Sequence, residues 1–385
     1  MIRFFLFLGL CLHIAVAIWN GFFGPSLGAE GDALAFHNEA VYFANNLGSF
    51  EYITGWVYAY FLGAMYKFFG IHIFFGSMIS VFAWLLSAIY LIKALNLLDQ
   101  SKKTIAMVIF VFSIWPSAVL NTSVTLRESF QTLSVILILY GAIGTFKEGK
   151  KQWAILLLGM ALGSVLHGAL LLFSGAMFFY LVYSFTKIRL SFSTWGSMLI
   201  TLVVGSAGGA LAYTLLGNIA YSVDQGLVAA VQSFNEGATS VSARANYRDN
   251  VYFSGPLDFI IFIPVAFFQY MMEPLPTRIA SAADAVLFLE NLLRAVLLLT
   301  ATVTNFRLEQ RFRGSHSFVL ISYLILCLIW AVGTVNWGTA SRHHAPGLGL
   351  LLIVAFYSVP VVRTGLIGHG QARSNPPNRK RPLNV

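Results

Sequence analysis

Long apolar runs alternate along this chain with short polar segments. A helix needs roughly 17 to 25 residues to cross the hydrocarbon core of a membrane, and several runs meet or approach that length. They predict ten transmembrane helices, at about 3–20, 72–97, 104–120, 124–146, 152–167, 169–185, 195–217, 283–303, 316–335 and 346–362. The pattern is therefore typical of an all-α polytopic integral membrane protein.

Two further apolar stretches, 52–69 and 257–272, are assigned by the distribution of basic residues. Loops rich in Lys and Arg face the cytoplasm. Such loops occur near 102–103, 147–151, 187–189, 307–313 and 363–381. The chain must cross an even number of times between two cytoplasmic loops, and this count leaves no crossing for either stretch. Both are predicted to be interfacial helices, and both termini are predicted to be cytoplasmic.

The composition agrees with this class. Of the 385 residues, 58% are hydrophobic and 10% are charged, which is more apolar surface than a soluble domain of this length can bury. The net charge of +9 does not indicate a nucleic-acid partner, because the basic residues concentrate in the predicted cytoplasmic loops. Cys11 and Cys327 both lie in apolar runs, so they predict neither a disulfide nor a metal site.

The predicted elements divide the chain into three parts. Residues 1–150 form an N-terminal membrane module with an outer loop at 21–50, and residues 151–365 form a C-terminal module with an outer loop at 218–256. Residues 366–385 are polar, basic and contain proline, a composition that predicts a disordered cytoplasmic tail.

The first outer loop is the leading candidate for the functional site. It contains no Lys or Arg but has four titratable residues within ten positions, Glu30, Asp32, His37 and Glu39. Asp32 follows Gly31, and glycine allows the turn that can bring a carboxylate close to a ligand. Asp32 and Glu30 are therefore candidate catalytic residues. The alternative is a solvated loop whose acidic residues only set the topology.

Three more candidates lie near the predicted outer ends of spans. Arg127 could bind a phosphate, and Glu128 could orient a base. The alternative for Glu128 is a capping box with Thr125, which leaves Arg127 unexplained because cations are unfavourable at a helix N-terminus. His167 interrupts an apolar run and is either a proton relay or ligand or a structural cap between two short spans.

Arg244 and Arg248 are four residues apart and would share one face of a helix, where they could bracket a diphosphate. The alternative is a set of surface ion pairs with Asp224 and Asp249. The two arginines lie outside the membrane in the predicted topology, against the usual distribution of positive charge, and this favours a ligand.

The polar segment 336–346 contains Arg342, His343 and His344 before the last predicted span. Arg342 could bind a lipid phosphate, and a neighbouring histidine could give or take a proton. The alternative is an interfacial anchor. A metal site made by His343 and His344 alone is not predicted, because adjacent side chains point in different directions.

Four features follow one another in the N-terminal module. They are the Gly31-Asp32 loop, an aromatic helix ending Lys67-Phe68-Phe69-Gly70, Trp115-Pro116-Ser117 and Arg127-Glu128. Their order resembles that of the GT-C superfamily of membrane glycosyltransferases, which includes dolichyl-phosphate-mannose protein mannosyltransferases, lipid A aminoarabinose transferases and oligosaccharyltransferases. Arg342 to Pro346 is also similar to the Arg-x-x-x-Pro entry to a late span in bacterial exopolysaccharide members.

The resemblance implies a GT-C-like fold and an enzyme of a bacterial inner membrane that builds surface polysaccharide. Such an enzyme would transfer a sugar from a polyprenyl-phosphate donor to a lipid-linked glycan at the outer face. Asp32 would deprotonate or orient the acceptor hydroxyl, and Arg342 with Arg244 or Arg248 would stabilise the leaving phosphate. The residues assign no metal site and no definite cofactor, and they leave a divalent metal ion open.

Two other functions remain open. An O-antigen or exopolysaccharide polymerase would also work at the outer face and bind a lipid diphosphate with arginines. A transporter or flippase for a lipid-linked glycan would place charged residues at mid-membrane. Glu290 and Arg294 are the clear mid-span charges, and their spacing of four residues predicts that they pair with each other.

Overall fold

The protein is described by a computed structural model that covers residues 1–25, 31–46, 57–147, 152–189, 193, 196–201, 203, 232, 236, 239, 244–249 and 251–358. The regular elements within these ranges are helices. They are α1 (Ile2–Phe22), α2 (Asp32–Asn45), α3 (Val57–Phe69), α4 (Ile73–Leu97), α5 (Lys102–Ile114), α6 (Pro116–Thr122), α7 (Glu128–Lys147), α8 (Trp153–Leu166), α9 (Gly168–Arg189), α10 (Pro256–Met272), a 3₁₀ helix (Pro276–Arg278), α11 (Ala282–Arg307), α12 (Gln310–Gly333) and α13 (Trp337–Ala355).

The prediction of an all-α polytopic membrane protein is confirmed by helix length and hydropathy. Among the described residues, six helices are long and apolar enough to cross a membrane, and seven if α5 and α6 form one bent span. The six are α1, α4, α7, α9, α11 and α12. The finer count of ten stays a prediction. Most of the predicted span 195–217 and all of the predicted tail 366–385 lie outside the described residues.

Within the predicted outer loop 21–50, residues 32–45 form a helix, α2. Gly31 has a φ of +82°, a conformation that glycine adopts readily, and it turns the chain into this helix. Asp32 occupies the first turn, where the helix dipole favours a carboxylate. Ala33, Ala40 and Ala44 recur at helical spacing on the buried face, and Ala40 and Ala44 belong to a core cluster with residues of α3.

The predicted span 104–120 is not one continuous helix. α5 ends at Ile114 and α6 begins at Pro116, with an angle of 64° between them. A proline disfavours helical geometry in the preceding residue and lacks the backbone N–H that would continue the helix. Trp115 accordingly has an extended backbone. The break places Ser117 and the rest of α6 beside α11, where they help to form the cavity described below.

The polar segment 336–346 is helical from its second residue, so α13 begins before the predicted span 346–362. The Asn336 side chain caps α13 by accepting a hydrogen bond from the Thr339 amide at 2.7 Å. Residues 345–354 of α13 are buried on every side, as expected for a central helix. The other helices therefore hold the α13 N-terminus, with Arg342, in a fixed position.

Candidate functional site

A cavity of about 600 Å³ has walls supplied by α2, α6, α11 and α13. Its surface is mostly apolar, and its polar groups come from all four helices. The apolar wall includes Leu120, Val286 and Leu287. The polar groups include Asp32, Ser117, Glu290, Asn336 and Arg342. An apolar wall with a few charged groups is typical of small-molecule binding sites in general.

Arg342 joins two carboxylates at this cavity. Its Nη1 donates a hydrogen bond to Oδ2 of Asp32, although the two residues are 310 positions apart. Its Nε lies 3.6 Å from Oε1 of Glu128. The Asp32 side chain is 57% exposed, whereas that of Glu128 is 2% exposed. Arg342 thus lies between the accessible carboxylate of Asp32 in the cavity wall and the buried carboxylate of Glu128, which does not itself line the cavity.

Glu290 accepts three hydrogen bonds at another part of the wall. Its donors are Trp115 Nε1 at 2.9 Å, the Ser117 amide at 2.8 Å and the Ser117 hydroxyl at 2.5 Å. The predicted pairing of Glu290 with Arg294 is wrong, since Arg294 donates to Asn291 instead. The break between α5 and α6 leaves the Ser117 amide without the partner that a continuous helix would have given it, and the carboxylate of Glu290 accepts its hydrogen bond.

A second cavity, of about 270 Å³, shares Arg342 with the first. Arg127, His167, Thr334 and His343 also line it. Arg127 Nη1 donates to the Leu166 carbonyl at 3.2 Å, and Thr334 Oγ1 lies 2.9 Å from Nδ1 of His343. Four residues predicted from three separate parts of the sequence therefore line one cavity: Arg127, His167, Arg342 and His343.

His167 both caps a helix and faces this second cavity. Its Nδ1 accepts a hydrogen bond from the Ala169 amide at 3.1 Å at the start of α9. Burial holds the pKa of His167 well below its usual value, and the positive charges of Arg127 and Arg342 lower it further. The imidazole is therefore neutral near pH 7. The contact with the Ala169 amide confirms the structural cap, and the role as a proton relay or ligand stays a prediction.

The capping box predicted for Thr125 and Glu128 does not form. Helix α7 begins at Glu128, so Thr125 lies too far from the first turn to cap it. The Thr125 hydroxyl instead donates to the Ala33 carbonyl of α2 at 2.8 Å. Glu128 occupies the first turn of α7 and is directed towards Arg342. Burial of Arg127 lowers the pKa of its guanidinium.

Arg244 and Arg248 do not share a helix face, because residues 244–249 form a turn followed by extended chain. Asn246 makes an antiparallel bridge with Asn336. Arg244 pairs with Asp284 at 2.6 Å, not with the predicted Asp249, and Asp224 lies outside the described residues. Neither arginine lines the cavity that contains Asp32. They lie in the wall of a separate pocket.

The last candidates are His344, Glu30 and a metal site. His344 faces the core, where its Nε2 lies 3.0 Å from the Tyr270 carbonyl, so the predicted role at the mouth of a span is not supported for this residue. Adjacent helical residues point about 100° apart, and His343 takes the cavity side. Glu30 lies outside the described residues. Within the described part of the chain, no three His, Cys, Asp or Glu residues are grouped to hold a metal ion.

Sequence reasoning missed Glu290 and Ser117 as parts of the cavity wall. A carboxylate in the middle of a span was the available signal for Glu290. Comparison with known proteins adds no assignment, since no family model, curated protein or solved structure matches the chain.

Proposed function

We propose that the protein is a GT-C-like membrane glycosyltransferase that transfers a sugar from a polyprenyl-phosphate donor to a lipid-linked glycan. The observation that carries the proposal is the pairing of accessible Asp32 with Arg342 at the edge of a largely apolar cavity. The proposal places this site at the outer face of a bacterial inner membrane, with both termini in the cytoplasm and the product used in surface polysaccharide.

The chemistry of glycosyl transfer requires two groups that this arrangement supplies. A carboxylate must orient or deprotonate the acceptor hydroxyl, and Asp32 is the most exposed carboxylate at the cavity. A cation must stabilise the charge that develops on the leaving phosphate. Arg342 lies beside Asp32, and Arg127 lines the adjoining cavity. The buried Glu128 would hold Arg342 in position as the donor binds.

The shape and polarity of the main cavity also favour a lipid-linked substrate. Leu120, Val286 and Leu287 form an apolar wall next to the charged groups. An isoprenoid chain is wholly apolar, whereas the phosphate to which it is joined requires charged donors. A ligand with both parts side by side matches this wall better than a free nucleotide sugar, which has no large apolar portion.

The test is replacement of Asp32 by Asn in a strain whose surface polysaccharide can be displayed on a gel. We expect the polysaccharide ladder to disappear, because removal of a general base typically lowers a rate by about 100-fold or more. The matched control is Glu39→Gln, which removes a carboxylate on the same helix away from the cavity. The membrane level of each variant is measured by immunoblot.

An unchanged ladder in the Asp32→Asn strain, at a normal membrane level, would refute the proposed role of Asp32. Loss of the ladder in both variants would attribute the effect to α2 as a whole and not to its first carboxylate. Transfer measured with purified protein and a radiolabelled polyprenyl-phosphate sugar would then separate a transferase from a polymerase, because a polymerase uses a donor that carries a whole repeat unit.

A further inference from the structure

A third cavity, of about 360 Å³, contains three arginines and lies apart from the Asp32 cavity. We call it the arginine pocket. Its other lining residues include a single carboxylate, that of Asp249. The lining residues are Arg244, Asn246, Tyr247, Arg248, Asp249, Arg278 and Trp337. Its surface is predominantly polar, in contrast to the wall around Leu120 and Val286.

Arg248 is buried in the pocket wall, and its positive charge has no counter-charge among the described residues. It is 7% exposed, and its guanidinium is held by Gln269 at 3.0 Å and by the Ala331 and Val332 carbonyls at 3.2 and 3.3 Å. No carboxylate in the described part of the chain forms an ion pair with it, and its Nη2 has no hydrogen-bond partner there. A buried cation without a counter-charge is costly.

The other two arginines leave part of their donors free to face a ligand. Arg244 binds Asp284 with both terminal nitrogens, at 2.6 and 3.1 Å, but its side chain remains 57% exposed. Arg278 lies 3.6 Å from Glu273, too far for a hydrogen bond, and is 43% exposed. Neither Asp284 nor Glu273 lines the pocket, so the lining itself carries excess positive charge.

The arginine pocket adjoins the Asp32 cavity through the start of α13. Trp337 lines the pocket, whereas its neighbours Asn336 and Gly338 line the cavity. Asn246 in the pocket wall is paired with Asn336 through the antiparallel bridge. One extended ligand could therefore reach both sites by passing over this short segment.

We infer that the arginine pocket binds an anionic group, a phosphate or a carboxylate, carried by the lipid-linked glycan acceptor. Planar guanidinium groups match the two or three oxygens of either anion. The inference rests on the proposed function, because the acceptor is the substrate that must place a hydroxyl beside Asp32 while the donor lipid occupies the apolar wall. The two sources of such an anion are a diphosphate linker and an acidic sugar.

The test measures thermal unfolding of the purified full chain in nanodiscs of phosphatidylcholine, with inorganic pyrophosphate or glucuronate added. Pyrophosphate represents the linker, and glucuronate represents the acidic sugar. We compare the wild type with Arg278→Gln, which removes an exposed pocket cation, and with Arg307→Gln, which removes an exposed cation at the far end of α11. Arg248 is left intact because its guanidinium also ties together two backbone carbonyls.

One of the two anions is expected to raise the unfolding temperature of the wild type and of Arg307→Gln. In Arg278→Gln its affinity should be about tenfold weaker, since one charged donor is lost. A response to pyrophosphate identifies the linker, and a response to glucuronate identifies the acidic sugar. No response to either anion, or an equal response in Arg278→Gln, overturns the inference.

The result of the anion-binding test can be distinguished from the result of the Asp32→Asn test of the proposed function. Anion binding by the wild type and its loss in Arg278→Gln require no transfer activity. If Asp32→Asn keeps a normal ladder while Arg278→Gln loses anion binding, the transferase proposal fails and the pocket stands as an anion site only. If Asp32→Asn abolishes the ladder but no anion binds, the transferase proposal stands and the pocket assignment fails.

Discussion

The hydrogen bonds around Glu290 make a prediction about stability that does not depend on the function. This carboxylate accepts from Trp115 and twice from Ser117, and so joins α11 to the break between α5 and α6. Replacing Glu290 by Ala removes all three bonds and leaves a backbone amide and an indole N–H without their acceptor. Replacing it by Gln keeps one oxygen but presents an NH₂ group to these donors.

The size of the effect follows from the three contacts. A protein hydrogen bond contributes about 1 kcal/mol, and a buried group left unsatisfied costs about 1–3 kcal/mol. Three lost bonds and two orphaned donors would together cost about 5 kcal/mol or more. Glu290 lines a cavity, however, so water can replace part of the loss. We therefore expect the free energy of unfolding to fall by about 3 kcal/mol for Ala and by about 1–2 kcal/mol for Gln.

The assay is equilibrium unfolding by dodecyl sulfate in mixed micelles. A double-mutant cycle with Ser117→Ala isolates the contact between the two residues, and we expect an interaction energy of about 0.5–1.5 kcal/mol. Glu39→Gln is the control, because Glu39 has no hydrogen-bond or ion-pair partner in the described part of the chain. A Glu290→Ala variant that unfolds within about 0.5 kcal/mol of the wild type would refute the reasoning, as would an interaction energy of zero.

Two further predictions concern packing and protonation. At Gly141 a Cβ would lie 2.6 Å from the Leu156 amide nitrogen, so Gly141→Ala must separate α7 from α8. We expect it to lower the free energy of unfolding by about 1–3 kcal/mol. At Gly175 a Cβ meets nothing within 4 Å, so Gly175→Ala should be neutral or stabilising in the same titration, and equal effects at the two glycines would contradict this account. For His167 the depressed pKa means that the unfolded chain binds a proton more readily, so stability should fall by up to about 1.4 kcal/mol per pH unit as the pH drops below about 6.5. Unfolding measured between pH 5 and 7.5 should show a smaller slope in His167→Asn, which keeps an acceptor for the Ala169 amide; an unchanged slope would mean that another group titrates.

Much of the membrane-spanning architecture could be predicted from the sequence because apolar length is a strong signal. α1, α4 and α11 lie within a few residues of the predicted runs. α2 was missed because three of its four buried residues are alanines, which give little hydropathy, and because its polar face resembles a loop. Pro116 indicates a break between α5 and α6, but the apolar run continues on both sides of it and therefore predicts one straight span.

The candidate site was predictable in its residue types and only partly in its arrangement. The local sequence pattern identified Asp32, Glu128 and Arg342 one by one. It does not predict that Asp32 and Arg342, 310 positions apart, form an ion pair. Arg244 and Arg248 were grouped by a helical spacing that does not apply, because their segment bridges to Asn336 in extended form. Such contacts depend on how the helices pack against one another, and this packing cannot be predicted from the local pattern of a single sequence.

Arg127 shows how a tertiary contact can explain a residue that looks unfavourable in its own element. It immediately precedes α7, where the helix dipole disfavours a positive charge. Its side chain leaves that helix and donates to the Leu166 carbonyl at the C-terminus of α8, where a cation is favoured. The guanidinium also lies 5.5 Å from the ring centroid of Phe36.

These contacts satisfy only part of the Arg127 side chain. A guanidinium has five N–H donors, and in the described part of the chain one donor atom, Nη1, has a hydrogen-bond partner, the Leu166 carbonyl. Arg127 lines the cavity that also contains Arg342. The Leu166 carbonyl and the Phe36 ring thus hold Arg127 in place, and its role in binding a phosphate stays a prediction.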